Sequence, residues 1–413
     1  MESSQPLENQ LSPWRAQMML MPGHALLNAG SYSPLPVPVF ERTVELRRQL
    51  AENPNRFIWR IMPDLLDEAR AQLSTELFCN NGMLLLVPNT TYAINMVLRS
   101  LITKPMKIVT TNLEYGALAL ALSRCATAAG ATVQTVVVSA GPGSTREVLA
   151  AFENQITDPF DLLYLSHVTS PTGMVFPIAE LAAWAKKRGA RVVVDGAHAP
   201  GLINVDLDHL GTLGVDFYAG NVHKWMMGPT GSAFLFQADK TRDELRPLIT
   251  SWGAFYDPAR GNEPSGWGGS FRELALEYQG TQDRVAQMTV PAALAFRRQL
   301  PQAIVNEHIA SLAAYCIQTL AQQGLNPLIP LANDPGNGLP LRKTMTAFPF
   351  TRLKRDKAMA WLGREHRIEV AFTGFDNGDT FLRVSTGWFN TKEDVDRLAK
   401  ALPLLPLDAL RLS

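Results

Sequence analysis

The sequence predicts an α/β fold, with a mostly parallel central sheet covered by helices and a smaller α+β domain toward the C-terminus. Three observations predict it. Between Met83 and Val194 short β-rich runs alternate with helical stretches, the pattern of parallel strands joined by crossover helices. A chain of 413 residues is long enough for two or three domains. After Val290 the pattern changes to a long helical stretch and then to mixed helix and strand ending near Leu402.

Taken in order, residues 1–45 read as an N-terminal arm, extended around Pro34, Pro36 and Pro38 and packed over another element. Residues 46–295 form the large domain. Its strands are expected at Met83–Val87, Met106–Thr110, Thr132–Val138, Asp161–Ser166 and Arg191–Asp195, rich in β-branched and apolar residues. Ile94, Val97, Leu98 and Leu101 recur at helical spacing, and Leu118–Ala129 and Ala179–Arg188 supply further crossovers. Asp216–Ala219 and Ser232–Phe236 close the sheet, with Met226–Gly231 as the turn between them. Residues 251–269, rich in Gly, Pro and Trp, read as an ordered lid, with Trp252, Phe255, Tyr256 and Trp267 at its entrance. The small domain, 296–413, ends on a helix opened by a capping box at Thr391 and Asp394.

Composition excludes several classes of function. Lys plus Arg and Asp plus Glu each number 38, so no basic surface points to nucleic acid or an anionic membrane. Cys79, Cys125 and Cys316 are an odd, widely spaced set with neither a disulfide framework nor metal-ligand spacing. A reducing cytoplasm is expected, with no metal. The first residues lack a basic region followed by an apolar core, and no apolar run is long enough to span a bilayer. Small molecules remain as partners.

The chemistry concentrates in two places. A buried strand ends on Asp195, followed by Gly196-Ala197-His198, and a second strand leads into Gly220-Asn221-Val222-His223-Lys224-Trp225. An aldehyde cofactor needs a lysine for its Schiff base, and a pyridine ring needs an acid at its nitrogen so that the protonated ring accepts electrons. Asp195 and Lys224 fit those two needs and indicate pyridoxal 5'-phosphate. Asn89-Thr90-Thr91 runs from a strand into a helix, where free amide groups and hydroxyls suit a phosphate; the same residues also suit an ordinary helix cap. No Gly-rich fingerprint follows the first strand, which argues against a nucleotide-binding protein.

Asn89-Thr90-Thr91, Glu114-Tyr115-Gly116-Ala117, Asp195-Gly196-Ala197-His198 and His223-Lys224-Trp225, in that order, resemble the class V aminotransferase family of fold type I pyridoxal-phosphate enzymes. Leu27-Asn28-Ala29-Gly30-Ser31-Tyr32, Asn53–Phe57 and Leu276-Glu277-Tyr278-Gln279-Gly280-Thr281 are similar to the isopenicillin N epimerase-like branch, whose relatives include C–S lyases. The resemblance implies that Lys224 carries the Schiff base and that Asp195 meets the pyridine nitrogen. It implies phosphate contacts from Thr90, Thr91 and His223, with Asn221 where related enzymes often have Ser. Tyr115 takes the place of the ring-stacking residue, and His198 that of a donor to the ring hydroxyl. Ser170 stands where many relatives have Asn near the ring oxygen.

The resemblance also implies a homodimer, with Thr281 reaching the cofactor phosphate of the neighbouring subunit. Arg383, in the strand Phe381–Ser385, matches a substrate-carboxylate arginine, whose planar fork a lysine cannot replace; Ser31 and Tyr32 join it as substrate-binding candidates. Residues 371–379 contain no cysteine, which removes the nucleophile that cysteine desulfurases carry there. The implied activity begins with loss of the Cα proton of an amino acid or a derivative of one, with Lys224 as base and Asp195 and His198 assisting. Epimerisation or C–S/β-elimination in a secondary-metabolite or sulfur pathway is expected, with transamination and cyclisation as alternatives. A cofactor-binding protein without turnover would not need Lys224, Asp195 and Arg383 together.

Overall fold

A computed structural model describes residues 6–254, 258–330, 341–375 and 378–406. The segment expected to be an extended arm instead carries two helices, α1 (Leu7–Arg15) and α2 (Val37–Glu52). Pro36 and Pro38 explain the second: Pro36 is the N-cap and Pro38 lies in the first turn, where no amide donor is needed. Residue 45 therefore lies inside a helix. Between the two helices, Ala25 and Leu26 pair in parallel with Ile368 and Glu369, and Ala25 and Leu27 join the apolar core of the C-terminal region.

Helix α3 (Met62–Glu76) precedes the central sheet. Its strands are β1 (Gly82–Val87), β2 (Lys107–Thr111), β3 (Thr132–Val136), β4 (Leu162–Ser166), β5 (Arg191–Asp195), β6 (Phe217–Asn221) and β7 (Ala233–Ala238), each within two residues of its expected bounds. Across the sheet the order is β1-β7-β6-β5-β4-β2-β3. All pairings are parallel except those of β7, which is antiparallel to both neighbours. A hairpin-like return explains the exception, because β7 follows β6 directly with no crossover helix.

The crossovers include α4 (Thr90–Leu101), α5 (Gly116–Ala129), α6 (Thr145–Gln155), α7 (Ile178–Lys186) and α8 (Leu207–Leu213). Buried on both faces, β4 to β7 read as nearly continuous apolar runs. Helix α9 (Phe271–Glu277) opens with a capping box between Ser270 and Glu273. The long helical stretch after Val290 is two helices, α10 (Val290–Gln299) and α11 (Gln302–Ala321). The break falls at Leu300 and Pro301; a proline has no amide to continue the ladder.

The C-terminal region holds a three-stranded antiparallel sheet of β8 (Met345–Phe350), β9 (Ala371–Gly374) and β10 (Thr380–Ser385), with β10 in the middle. Helices α12 (Arg355–His366) and α13 (Lys392–Ala401) cover it. Asp394 accepts from the Thr391 amide at 3.1 Å, as the capping motif requires. In the lid segment, Trp267 packs edge-on against Trp59 and Tyr278, at 4.2 and 5.5 Å between centroids, so it anchors packing. Trp252 is exposed, whereas Phe255 and Tyr256 lie outside the described residues. No described helix is long and apolar enough to cross a membrane.

Candidate active site

Strand β5 delivers Asp195 to the C-terminal edge of the sheet, in register with Ser166 on β4 and Ala219 on β6. Such an edge is where open parallel sheets gather their ligands. Asp195 is buried, and its carboxylate accepts from the Ala197 amide at 2.9 Å. Gly196 is required here: a Cβ would stand 2.1 Å from the Tyr218 ring. Burial raises the Asp195 carboxyl above its ordinary range, opposed by the Ala197 amide and by the Lys224 charge.

Strand β6 runs into the turn that carries Lys224, closed by the Met227 amide on the Lys224 carbonyl at 3.0 Å and the Gly228 amide on the Val222 carbonyl at 2.9 Å. Lys224 Nζ lies 3.2 Å from His198 Nε2. Burial, then the Arg383 charge, lowers the amine to about 7 against the pull of Asp195. Burial holds His198 well below its ordinary value, reinforced by Lys224, Arg383 and His223. A protonated Lys224 can only donate to Nε2, so the neutral ring then carries its proton on Nδ1, an atom that is buried without a partner.

At the start of α4 the Asn89 side chain accepts from the Tyr92 amide at 2.8 Å. Asn221, from the end of β6, accepts from the Thr90 amide at 3.0 Å. Asn221 thus ties β6 to the helix start. Thr90 Oγ1 is buried with no partner, and Thr91 is exposed. His223 is held down to about 4 by burial and the Lys224 charge; its Nδ1 is also buried and unpartnered, and Tyr32 stacks on its ring at 5.9 Å.

Arg383, on β10, reaches this edge from the C-terminal sheet. Its Nη1 donates to the Ser170 carbonyl at 2.7 Å and to Ser170 Oγ at 3.2 Å; its Nη2 donates to Ser31 Oγ at 3.0 Å and Asn28 Oδ1 at 3.3 Å. All these acceptors are neutral, so the buried guanidinium keeps its charge for an incoming anion. Burial lowers Arg383 to about 10, and Tyr115 is the ionisable group that opposes this. Tyr115 itself is the N-cap residue of α5 and is half-exposed. Thr281 is exposed on the loop after α9, next to Gly280 at φ 97°, and no hydrogen bond joins it to Lys224, Thr90 or His223 among the described residues.

Two of the quoted motifs hold buried carboxyls that are outside the expected set. Glu114 accepts from Thr111 Oγ1 at 2.6 Å and Ser166 Oγ at 2.7 Å, and burial pushes it up to about 8. Glu277 accepts from Arg70 at 2.6 Å, Arg284 at 2.7 Å and the Leu86 amide at 2.7 Å, tying the Leu276–Thr281 motif to the strand that leads into Thr90. Both stand in quoted motifs, but nothing in their local pattern separates them from the exposed Glu263.

The site fits pyridoxal 5'-phosphate. Among the described residues, Thr90 Oγ1, His198 Nδ1 and His223 Nδ1 are buried polar atoms without hydrogen-bond partners, and His198 stands against the Lys224 amine; buried polar groups are ordinarily satisfied. A phosphate and a hydroxylated pyridine ring supply what they lack.

Residues 25–398 match the aminotransferase class-V family. The chain belongs to this family. It is 37% identical over 399 residues to isopenicillin N epimerase from Amycolatopsis lactamdurans, covering 94% of this chain and 96% of the relative. It is 33% identical to isopenicillin N epimerase from Streptomyces clavuligerus, covering 95% and 97%. Among solved structures, the cysteine desulfurase of Thermococcus onnurineus NA1 superposes with a TM-score of 0.77 at 21% identity, covering 95% of this chain and 98% of that one. The shared fold with that structure supports the fold type I architecture.

Proposed function

We propose that the protein is a pyridoxal-phosphate-dependent epimerase acting at Cα of an amino acid or a derivative of one. Loss of a sulfur substituent from the same starting point is the C–S lyase alternative. One observation carries the reading: the Lys224 amine, held to about 7, feels both the acid at Asp195 and the cation at Arg383, which has no ion pair among the described residues. Relatives at 33% and 37% identity over nearly the whole chain favour epimerisation.

When bound, the cofactor supplies an aldehyde for the amine and a ring that accepts the electron pair left as the Cα proton departs. Lys224 would hold that aldehyde, and its amine, when free, would take the Cα proton. Asp195 would keep the pyridine nitrogen protonated. His198 would donate through Nδ1 to the ring hydroxyl, Tyr115 would hold the ring by face contact, and Ser170 would serve the ring oxygen. The Thr90 and Thr91 hydroxyls, with His223, bind the phosphate, while Asn221 fixes the Thr90 amide. Arg383 takes the substrate carboxylate, with Ser31 and Tyr32 beside it. A proton returned to the opposite face inverts the centre.

Exposed Thr281 fits a homodimer in which it meets the neighbouring subunit's phosphate, in a cytoplasmic enzyme. The absence of cysteine from residues 371–379 speaks against persulfide transfer. Purified enzyme is incubated with a panel of amino acids and small peptides in D2O and followed by NMR and chiral chromatography. Deuterium at Cα with inverted configuration is expected. A released thiol or keto acid without inversion establishes the lyase instead, and no exchange at Cα refutes both.

A further inference from the structure

We propose that a second ligand site lies in the cavity beneath the Lys224 turn, and that it takes a small organic carboxylate with an apolar body. The cavity encloses about 950 Å³, a volume typical of small-ligand sites. It is lined by Trp225 and Met227 of that turn, Arg297 of α10, Leu300, Arg342 and Trp388, but not by Lys224, Asp195 or His198. The turn thus lends the cavity Trp225 and Met227 but not its lysine.

The charge of the cavity is what points to an anion. Arg342 is 2% exposed; its Nε donates to the Ile329 carbonyl at 2.8 Å, and its Nη1 to the Lys343 carbonyl at 3.0 Å and Thr346 Oγ1 at 2.8 Å. Each of these acceptors is neutral, and Nη2 is buried with no acceptor. Arg297 donates to the Trp225 carbonyl at 2.7 Å, while its Nε and the Trp225 Nε1 are also buried and unpartnered. Glu76 is the carboxylate whose field reaches Arg297, and no ion pair joins the two among the described residues. Two arginines without ion pairs among the described residues, and one tryptophan, therefore line one cavity and carry three unspent N–H donors between them. A buried cation without a counter-charge is costly, and an anion in the adjoining space is the direct remedy.

The other titratable lining groups agree with a singly charged ligand. His167 bonds Tyr218 Oη at 2.9 Å and is held down to about 4 by burial, so it is neutral. Glu180, Asp206, His209 and Lys343 are exposed, so the cavity opens to water on that side. The Asp206 carboxylate already accepts from the His209 amide at 2.8 Å as the cap of α8. Two carboxylates near the opening disfavour a multiply charged phosphate, whereas Leu300, Met227 and Trp388 suit an apolar body. Because Arg297 holds the peptide next to Lys224, a ligand that draws on Arg297 is felt at the catalytic turn.

The test uses the holoenzyme and 6-bromohexanoate. Crystals soaked with it are expected to show anomalous bromine density beside Trp388, and the compound quenches tryptophan fluorescence saturably. Arg342→Met weakens the titration at least 10-fold, the neutral 6-bromohexanol fails to saturate, and Arg383→Lys leaves the titration unchanged. Bromine density only beside Arg383, or equal binding by the alcohol, overturns the proposal. If Arg342→Met does not fold, the soak and the alcohol comparison decide the matter alone. Failure here leaves the role of Lys224 untouched, because the two sites share no lining residue named in the reaction.

Discussion

Lys224 Nζ and His198 Nε2 lie 3.2 Å apart at the ends of adjacent strands, and the burial of both groups decides which of them carries charge. His198 is neutral, and Lys224 is lowered to about 7 by burial and by Arg383. A neutral amine is the form that attacks an aldehyde. In cofactor-free protein, the rate at which the imine absorbance grows on adding pyridoxal phosphate therefore rises with pH, is half-maximal at about 7 and levels off above. Asp195→Asn removes the attraction that raises the amine, so its midpoint moves to lower pH. A midpoint at the ordinary lysine value of 10.5 would contradict this account.

Thr90→Val is expected to move two properties in opposite directions. The Thr90 hydroxyl oxygen is buried with no partner, so replacing it by a methyl group removes a desolvated polar atom at nearly constant volume. Cofactor-free protein is then as stable as the wild type or more so, by urea titration. Affinity for pyridoxal phosphate falls, because a hydrogen bond to a charged group contributes about 1.5 to 3 kcal/mol, roughly 10-fold or more. Equal cofactor affinity in fluorescence titration would remove Thr90 from the phosphate site.

Much of this was legible in the chain because its strong signals are local. Strand β5 was expected at Arg191–Asp195 and is found there, since a run of valines closed by an aspartate leaves few alternatives. The pairing of Asp195 with Lys224 needed only two neighbouring strands. The N-terminal helices were missed because Pro34, Pro36 and Pro38 suggested extended chain, whereas two of these prolines serve a helix start. The burial of Glu114 and Glu277 could not be read, because it depends on residues 52 and 207 positions away, Ser166 and Arg70. Non-local burial leaves no trace in a local pattern.

Arg383→Lys keeps a positive charge but loses the fork that meets Ser170, Ser31 and Asn28 at once. The cofactor absorbance is expected to persist, since none of the phosphate-facing residues changes. The KM for substrate rises by about 2 to 5 kcal/mol in binding terms if the carboxylate pair is desolvated, roughly 30-fold or more. Removing a nearby positive charge relieves a force that lowers Lys224; lysine in its place retains that force, so the pH midpoint of cofactor capture stays near about 7. Steady-state kinetics and the capture profile on one preparation separate these effects, and an unchanged KM would refute the carboxylate role.

Glu277→Gln tests the ionic clamp behind the phosphate site. Although burial pushes the Glu277 carboxyl up, Arg70 and Arg284 hold it below the ordinary value of 4.5. Its amide replacement removes the carboxylate paired with Arg284 and leaves Arg70 with Glu273 alone, at 3.4 Å, which costs about 3 to 5 kcal/mol. A lowered folded-state value means that the stabilisation is fully present above the unfolded-state value and is lost as the pH falls through the folded-state one. The gap between wild type and variant in denaturant midpoint is therefore wide at neutral pH and narrows in acid below the ordinary carboxylate range. The Leu86 amide also loses a charged acceptor, so the strand leading to Thr90 loosens and cofactor dissociates faster from the variant. A gap that is constant with pH would show that Glu277 acts through its shape and not through its charge.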